Sequence, residues 1–109
     1  MIHWNDFEKI DIRTGTIISA TNFVEAKKPA YKLTIDFGEF GIKKSSAQIT
    51  NLYELEMLVG KQILAVVNFP PKQIANYISE CLVLGVYDSN HQVILLQPDR
   101  QVANGMKVG

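Results

Sequence analysis

Residues 31 to 37 read Tyr-Lys-Leu-Thr-Ile-Asp-Phe, with apolar and polar side chains alternating without a break. A period of two puts Tyr31, Leu33, Ile35 and Phe37 on one face and Lys32, Thr34 and Asp36 on the other. The segment is therefore a strand with one buried and one wet face. Gly38-Glu39-Phe40-Gly41 follows with turn chemistry, and Ile42 to Ser46 return as a hairpin partner. Such a hairpin is marginal unless other segments cover its apolar face. Ile10 to Ala20, rich in Ile and Thr, reads as a long strand. Gly15 in its middle marks a bend that lets one strand serve both halves of a small barrel. Gln62 to Phe69 and Cys81 to Tyr87 are apolar, β-branched runs that read as buried strands, and Val93 to Leu96 is a shorter one.

Helical signals are fewer. Asn5-Asp6-Phe7-Glu8 fits a capping box with Asn5 as N-cap, which predicts one helical turn before the first strand. Ile49, Leu52, Tyr53 and Glu56 predict the main helix within residues 48 to 59, ended by Gly60. EAKKPA at 25 to 30 is a polar break, Asp88-Ser89-Asn90 a turn, and Asn104-Gly105 a tight turn before a last short strand at Met106 to Val108. Short strands with one helix after the third suggest an all-β fold, a small closed barrel for which the five-stranded Greek-key OB-fold is a good candidate. The pattern alone leaves sandwiches open.

A chain of 109 residues forms one domain, long enough to bury roughly two-thirds of its unfolded surface. Eleven basic side chains cancel eleven acidic ones, which argues against indiscriminate polyanion binding and leaves room for a local basic patch. Zero net charge also gives little colloidal repulsion, as suits a chain that buries surface in an oligomer. The one cysteine, Cys81, lies in CLVLGV and reads as a buried thiol, and the chain reads as cytoplasmic, without a signal peptide. No apolar run approaches the roughly 20 residues that span a bilayer, so membrane insertion is not expected. His3 and His91 lack spaced partners for a metal, and there is no glycine-rich phosphate loop or nucleophile elbow. Nothing in sequence near Cys81 would lower its pKa. The chain reads as a binding protein with neither catalytic residues nor cofactors.

Four segments, taken in order, carry a more specific signal: DIRTGTIISA at 11 to 20, KLTIDFGEFGIKKSSAQI at 32 to 49, NFPPKQIANYISECLVLG at 68 to 85 and LLQPDRQVANGMKVG at 95 to 109. Together they resemble the tRNA-binding domain, an OB-fold module attached to several aminoacyl-tRNA synthetases and also found free-standing. The likeness covers nearly the whole chain and is nearest to a free-standing dimeric form described as an export-related chaperone. It implies an OB barrel, a homodimer, and RNA contacts from one barrel face and its loops.

On that resemblance the candidate RNA-binding residues are Arg13, Lys43, Lys44, Ser45, Ser46, Gln48, Asn68, Lys72, Gln73, Ser79 and Glu80. Asp11 and Arg13 share a strand face, so Arg13 either anchors the strand start in an ion pair or joins a nucleic-acid surface. Lys43 and Lys44 point to opposite faces, so only one can belong to a given patch. Ser45, Ser46 and Gln48 suit phosphate, 2′-hydroxyl or base-edge contacts, or cap the following helix. Asn68 ends a buried strand, and Pro70-Pro71 remove two N–H donors, giving a stiff loop that holds Lys72 and Gln73 outward. Ser79 and Glu80 return beside that loop, where Glu80 can fix Lys72 or pair with an RNA amino group. The family usually carries more cations after the proline and a glycine about four residues on. Here Lys72 is the one clear cation, and Asn76 takes the glycine place because Asn tolerates positive φ.

Two functions follow. The first is a dimeric module that recognises tRNA or another structured RNA by shape. The alternative is a chaperone for unfolded or export-destined polypeptide, working with export machinery, in which Phe69, Pro70, Pro71 and Tyr77 offer a rigid apolar groove. Trp4, Phe7 and the tail from Gln97 are the expected dimer contacts, because large apolar groups near chain ends need somewhere to bury.

Overall fold

The structure is a computed structural model that describes all 109 residues. Its frame is a five-stranded antiparallel sheet, curled into a nearly closed barrel, made by β1 (Ile12–Asn22), β2 (Tyr31–Asp36), β3 (Ile42–Ala47), β4 (Gln62–Val66) and β7 (Leu82–Val83) in the order β3-β2-β1-β4-β7. Two small hairpins are attached to it: β5 (Lys72–Ile74) with β6 (Tyr77–Ser79), and β8 (Gly85–Tyr87) with β9 (Val93–Leu95). The fold is all-β, of OB type, with short helices α1 (Trp4–Glu8) and α2 (Leu55–Leu58).

β1 is the longest strand because it is used twice. Ile12 to Thr16 pair with β4, and Thr16 to Asn22 pair with β2. The turn between its two halves comes from two devices. The register slips between Ile17 and Ser19, a bulge that bends the strand. Gly15 lets core side chains approach the backbone: a Cβ there would lie 2.7 Å from both Ile35 and Phe37. Gly15 therefore makes room for Phe37 inside the barrel, a packing role beside the bend expected of it.

The alternation of β2 appears directly in its burial. Tyr31, Leu33, Ile35 and Phe37 are buried and join Ile17, Ile63, Ala65, Cys81 and Leu58 of α2 in one core. Tyr31 and Tyr53 carry polar tips into that core, and each tip has a partner. The Tyr31 hydroxyl donates to the Tyr53 carbonyl at 2.8 Å, and the Leu95 N–H donates to the Tyr53 hydroxyl at 3.0 Å.

β3 would be an open edge without the segment after β6. The Glu80 N–H donates to the Lys44 carbonyl at 2.8 Å, and the Lys44 N–H donates to the Glu80 carboxylate at 2.9 Å. The Ser46 N–H donates to Ser79 Oγ at 3.3 Å, and the buried Ser45 hydroxyl donates to the Cys81 carbonyl at 3.1 Å. At the other end the C-terminal tail lies along β1, with Thr14 N–H on the Met106 carbonyl and Val108 N–H on the Ile12 carbonyl. Gly105, at φ +86°, turns the tail where a Cβ would strike the Phe37 carbonyl at 2.6 Å.

Four expectations are corrected. The helix expected over 48 to 59 is only Leu55–Leu58, and residues 50 to 52 form a turn. Ile49 has to reach the core while Tyr53 serves Tyr31 and Leu95, and these contacts override a blurred apolar stripe. α1 starts two residues early, with His3 as N-cap and Asp6 accepting the His3 N–H at 2.8 Å. Residues 72 to 79 are not a stiff loop but a hairpin pairing Lys72 with Ser79 and Ile74 with Tyr77. At its tip the positive φ belongs to Ala75, at 52°, and not to Asn76.

Cys81 is buried, and burial pushes its thiol up to about 11, with the Ser45 hydrogen bond and Lys43 pulling the other way. The thiol stays protonated at neutral pH and has no nucleophilic character there. Alkylation of Cys81 at pH 8 should be slow in the folded protein and complete on unfolding; equal rates in mass-spectrometric trapping would contradict this placement. Gly15→Ala should overpack the barrel and lower stability by about 1–3 kcal/mol, read as a lower urea midpoint.

Candidate nucleic-acid interface

The wet face of the β2–β3 pair carries Lys32 and Thr34 from one strand and Lys44 and Ser46 from the other, because Lys32 pairs with Ser46 and Thr34 with Lys44. Tyr77, on β6, lies over this face. Its hydroxyl donates to the Leu33 carbonyl at 3.3 Å, and the Lys32 and Lys44 ammonium groups each stand 5.2 Å from its ring centroid. Phe23 packs edge-on to the same ring at 5.4 Å and also holds Lys32 at 5.0 Å. Each such cation–ring contact contributes about 0.5–1 kcal/mol at exposed sites.

The polar loop between β1 and β2 stands beside this face. Glu25 reaches the Lys32 ammonium at 3.7 Å. Its carboxyl is held below the ordinary value, chiefly by a backbone hydrogen bond and then by Lys32, with the Asn76 side chain contributing. The loop and the β5–β6 hairpin are thus held together through the Phe23–Tyr77 contact. Between them opens a cleft of about 410 Å³, lined by Lys27, Lys28, Ser46, Gln48, Ile74 and Ala75 among others. Tyr77 is shielded, and its phenol is pushed above the ordinary value by burial, with the Glu80 and Cys81 charges adding to the effect.

The sequence-named residues fall into two groups. Lys44, Ser46, Gln48, Lys72, Gln73, Tyr77, Ser79 and Glu80 lie on this face, in its cleft or on the hairpin above it. Within this group Ser79 and Glu80 spend their side chains on the β3 edge, so Glu80 holds Lys44 by its backbone and makes no ion pair with Lys72. Gln73 donates to the Ala75 carbonyl at 3.1 Å. Lys43 and Ser45 share the opposite face of β3, with Ser45 only 1% exposed.

Arg13 and Asn68 are tied to other parts of the barrel. The Arg13 guanidinium donates to Asp11 at 2.7 Å and to the Gly105 carbonyl at 3.1 Å, and it stacks 4.2 Å above Phe40. The Asn68 side chain accepts from the Asp11 N–H and donates to the Lys9 carbonyl. Phe69, Pro70 and Pro71 are exposed between Asn68 and the hairpin.

Sequence reasoning passed over Phe23, Lys27, Lys28 and Lys32. Lys32 was visible in principle, because alternation places it on the wet face opposite Ser46. The paired lysines of EAKKPA carried no period, and only the folded loop brings them to the cleft.

A second, larger cleft of about 600 Å³ runs between the segment after β3 and the β7–β8 region. Ile49, Leu52, Leu82, Leu84 and Val93 line it, with Tyr87 and His91 beside them. No group of three His, Cys, Asp or Glu residues is placed to hold a metal, and no helix is long and apolar enough to cross a membrane.

Comparison with known proteins agrees with this fold. The family model described as "Putative tRNA binding domain" matches residues 12–107. A crystal structure of the chaperone CsaA from Bacillus anthracis is 51% identical and superposes with a TM-score of 0.95 over 100% of this chain and 99% of that one. The CsaA chaperone protein from Picrophilus torridus is 57% identical, with a TM-score of 0.94 and complete coverage of both chains. The methionine–tRNA ligase of Methanococcoides burtonii is 36% identical over 105 residues, which are 96% of this chain and 15% of the ligase. The match thus takes in one module of the ligase and not its aminoacylating whole. Matched by the family model over nearly its whole length and by CsaA end to end, this chain belongs to the tRNA-binding domain family.

Proposed function

We propose that the chain binds tRNA, or a similarly folded RNA, through the wet face of β2–β3, the neighbouring 23–30 loop and the β5–β6 hairpin. The observation that carries this reading is charge segregation: in a chain of zero net charge, Lys27, Lys28, Lys32 and Lys44 converge on one face and its cleft, with Lys72 on the hairpin above. Ammonium groups so placed suit phosphates, while Ser46 and Gln48 suit 2′-hydroxyls and base edges. Few cations mean modest affinity and recognition by shape, and a homodimer presenting the face twice suits a folded RNA better than one copy. Trp4 and Ile2 favour such a pairing, since they are 79% and 78% exposed in the single chain. The role needs neither catalysis nor a cofactor, and the cytoplasm is its setting.

The test is a titration against tRNA at several salt concentrations. Affinity should fall as salt rises, and Lys44→Ala with Lys72→Ala should flatten the log–log slope by about 0.7–0.9 for each phosphate that is no longer neutralised. Binding indifferent to salt, or equal in the double variant, sinks the reading. Sedimentation should show a dimer that falls apart when residues 1 to 9 are removed; an unchanged coefficient would exclude the N-terminal segment as the interface.

A second reading has its own observation. The 600 Å³ cleft carries Ile49, Leu52, Leu82, Leu84 and Val93 among polar lining residues and is large enough for side chains of an extended polypeptide, and the two CsaA proteins are named chaperones. Together with exposed Phe69, Pro70 and Pro71, it supports capture of unfolded chain, including precursors bound for export. At stoichiometric dose the protein should then suppress aggregation of an unfolded client. The uncharged variant Leu82→Ser should weaken suppression, and suppression unaffected by Leu82→Ser would remove this cleft from the account.

A further inference from the structure

An exposed aromatic beside lysines on an RNA-facing surface is ordinarily read as a platform on which a base stacks. Tyr77 is differently placed. Its hydroxyl is committed to the Leu33 carbonyl at 3.3 Å, and Phe23 stands edge-on at 5.4 Å. Lys32 and Lys44 hold their ammonium groups over the ring, each 5.2 Å from its centroid. A base stacking there would have to displace the cations that attract its own phosphate.

The two lysines come from adjacent strands. Lys32 pairs with Ser46 and Lys44 with Thr34, so the lysines stand diagonally across one face. Left to themselves, two like charges at such positions separate into solvent. The negative face of an aromatic ring offsets that repulsion and gives both a common resting place. Glu25 shares Lys32 at 3.7 Å, whereas Lys44 has no carboxylate partner within ion-pair distance. The nearby Glu80 carboxylate is taken up by the Lys44 N–H.

We propose that Tyr77 is a positioning residue of the RNA-binding face: its ring gathers Lys32 and Lys44 into one preformed receptor for phosphate, so that the lysines lose little freedom when RNA arrives. The inference rests on the RNA-binding reading of this face and goes beyond it, because it assigns the aromatic to the protein's own cations and not to a base. Preorganisation of this kind raises affinity by lowering the ordering cost of flexible side chains. The hairpin becomes part of the site because it supplies the ring.

The experiment compares wild type with Tyr77→Phe, Tyr77→Leu and Tyr77→Met, after circular dichroism and thermal melts have confirmed folding. Two readouts are taken from the full chain. In proton NMR, the Lys32 and Lys44 ε-methylene signals should be shifted upfield by the ring in wild type and Tyr77→Phe, and should return to ordinary values in both aliphatic variants. In tRNA titrations, Tyr77→Phe should keep the salt slope, whereas the aliphatic variants should weaken binding and lower the slope by about one. A base-stacking role would weaken binding with the slope unchanged, and that outcome overturns the proposal. Unshifted lysine signals in wild type overturn it as well. Failure of the wild type to bind tRNA at low salt, with the lysine signals shifted, sinks the RNA-binding reading and leaves the gathering of the lysines standing.

Discussion

Glu80 holds the barrel shut. A strand edge with free N–H and C=O groups invites pairing with another chain, and β3 would be such an edge. Glu80 meets it with both its backbone N–H and its carboxylate, directed at the carbonyl and N–H of one residue, Lys44. Ser79 and Ser45 add side-chain hydrogen bonds on either side of that clasp. Side chains take the place of a longer ladder here, because β7 is only two residues long and pairs with β4. The clasp also fixes where the β5–β6 hairpin leaves the barrel, and so carries Tyr77 over the β2–β3 face. Closure and site depend on the same few bonds.

That arrangement explains how a chain with no net charge can present a cationic face. Several of its acids are turned to structural ends: Asp11 to Arg13, Asp6 to the start of α1, Asp88 to the turn before β9 and Glu80 to the β3 edge. Only Glu25 competes directly for a lysine of the face, at 3.7 Å from Lys32. A face of few, well-held cations differs from a basic tail. With few cations its attraction for a polyanion is modest, and its salt dependence is shallower than that of a basic tail.

The β2–β3 hairpin was legible residue by residue, since a period of two with glycine turn chemistry permits few alternatives. The doubled use of β1 was legible from its length and Gly15, though not the bulge at Ile17 to Ser19. The helix before Gly60 was overdrawn because Ile49 and Tyr53 are apolar for reasons of tertiary contact, which helical spacing mimics. The β5–β6 hairpin was hidden because strands of three residues carry no period, and its turn places Ala75 at positive φ, where glycine or asparagine would be expected.

By itself the sequence determined the all-β class, the faces of β2 and the absence of a surplus of charge, because periodicity and turn residues act over a few neighbours. The barrel and the family were legible only through the resemblance of four ordered segments. The tertiary structure alone decided which polar groups remain free. Ser45 and Arg13 look as available in sequence as Ser46 and Lys44, yet one is buried against Cys81 and the other is bound to Asp11, Gly105 and Phe40. Lys32, Lys44 and Tyr77 are separated by up to 45 positions and share one ring only after β2, β3 and β6 are brought together. Contacts across such separations are set by closure of the barrel, and no local pattern encodes them.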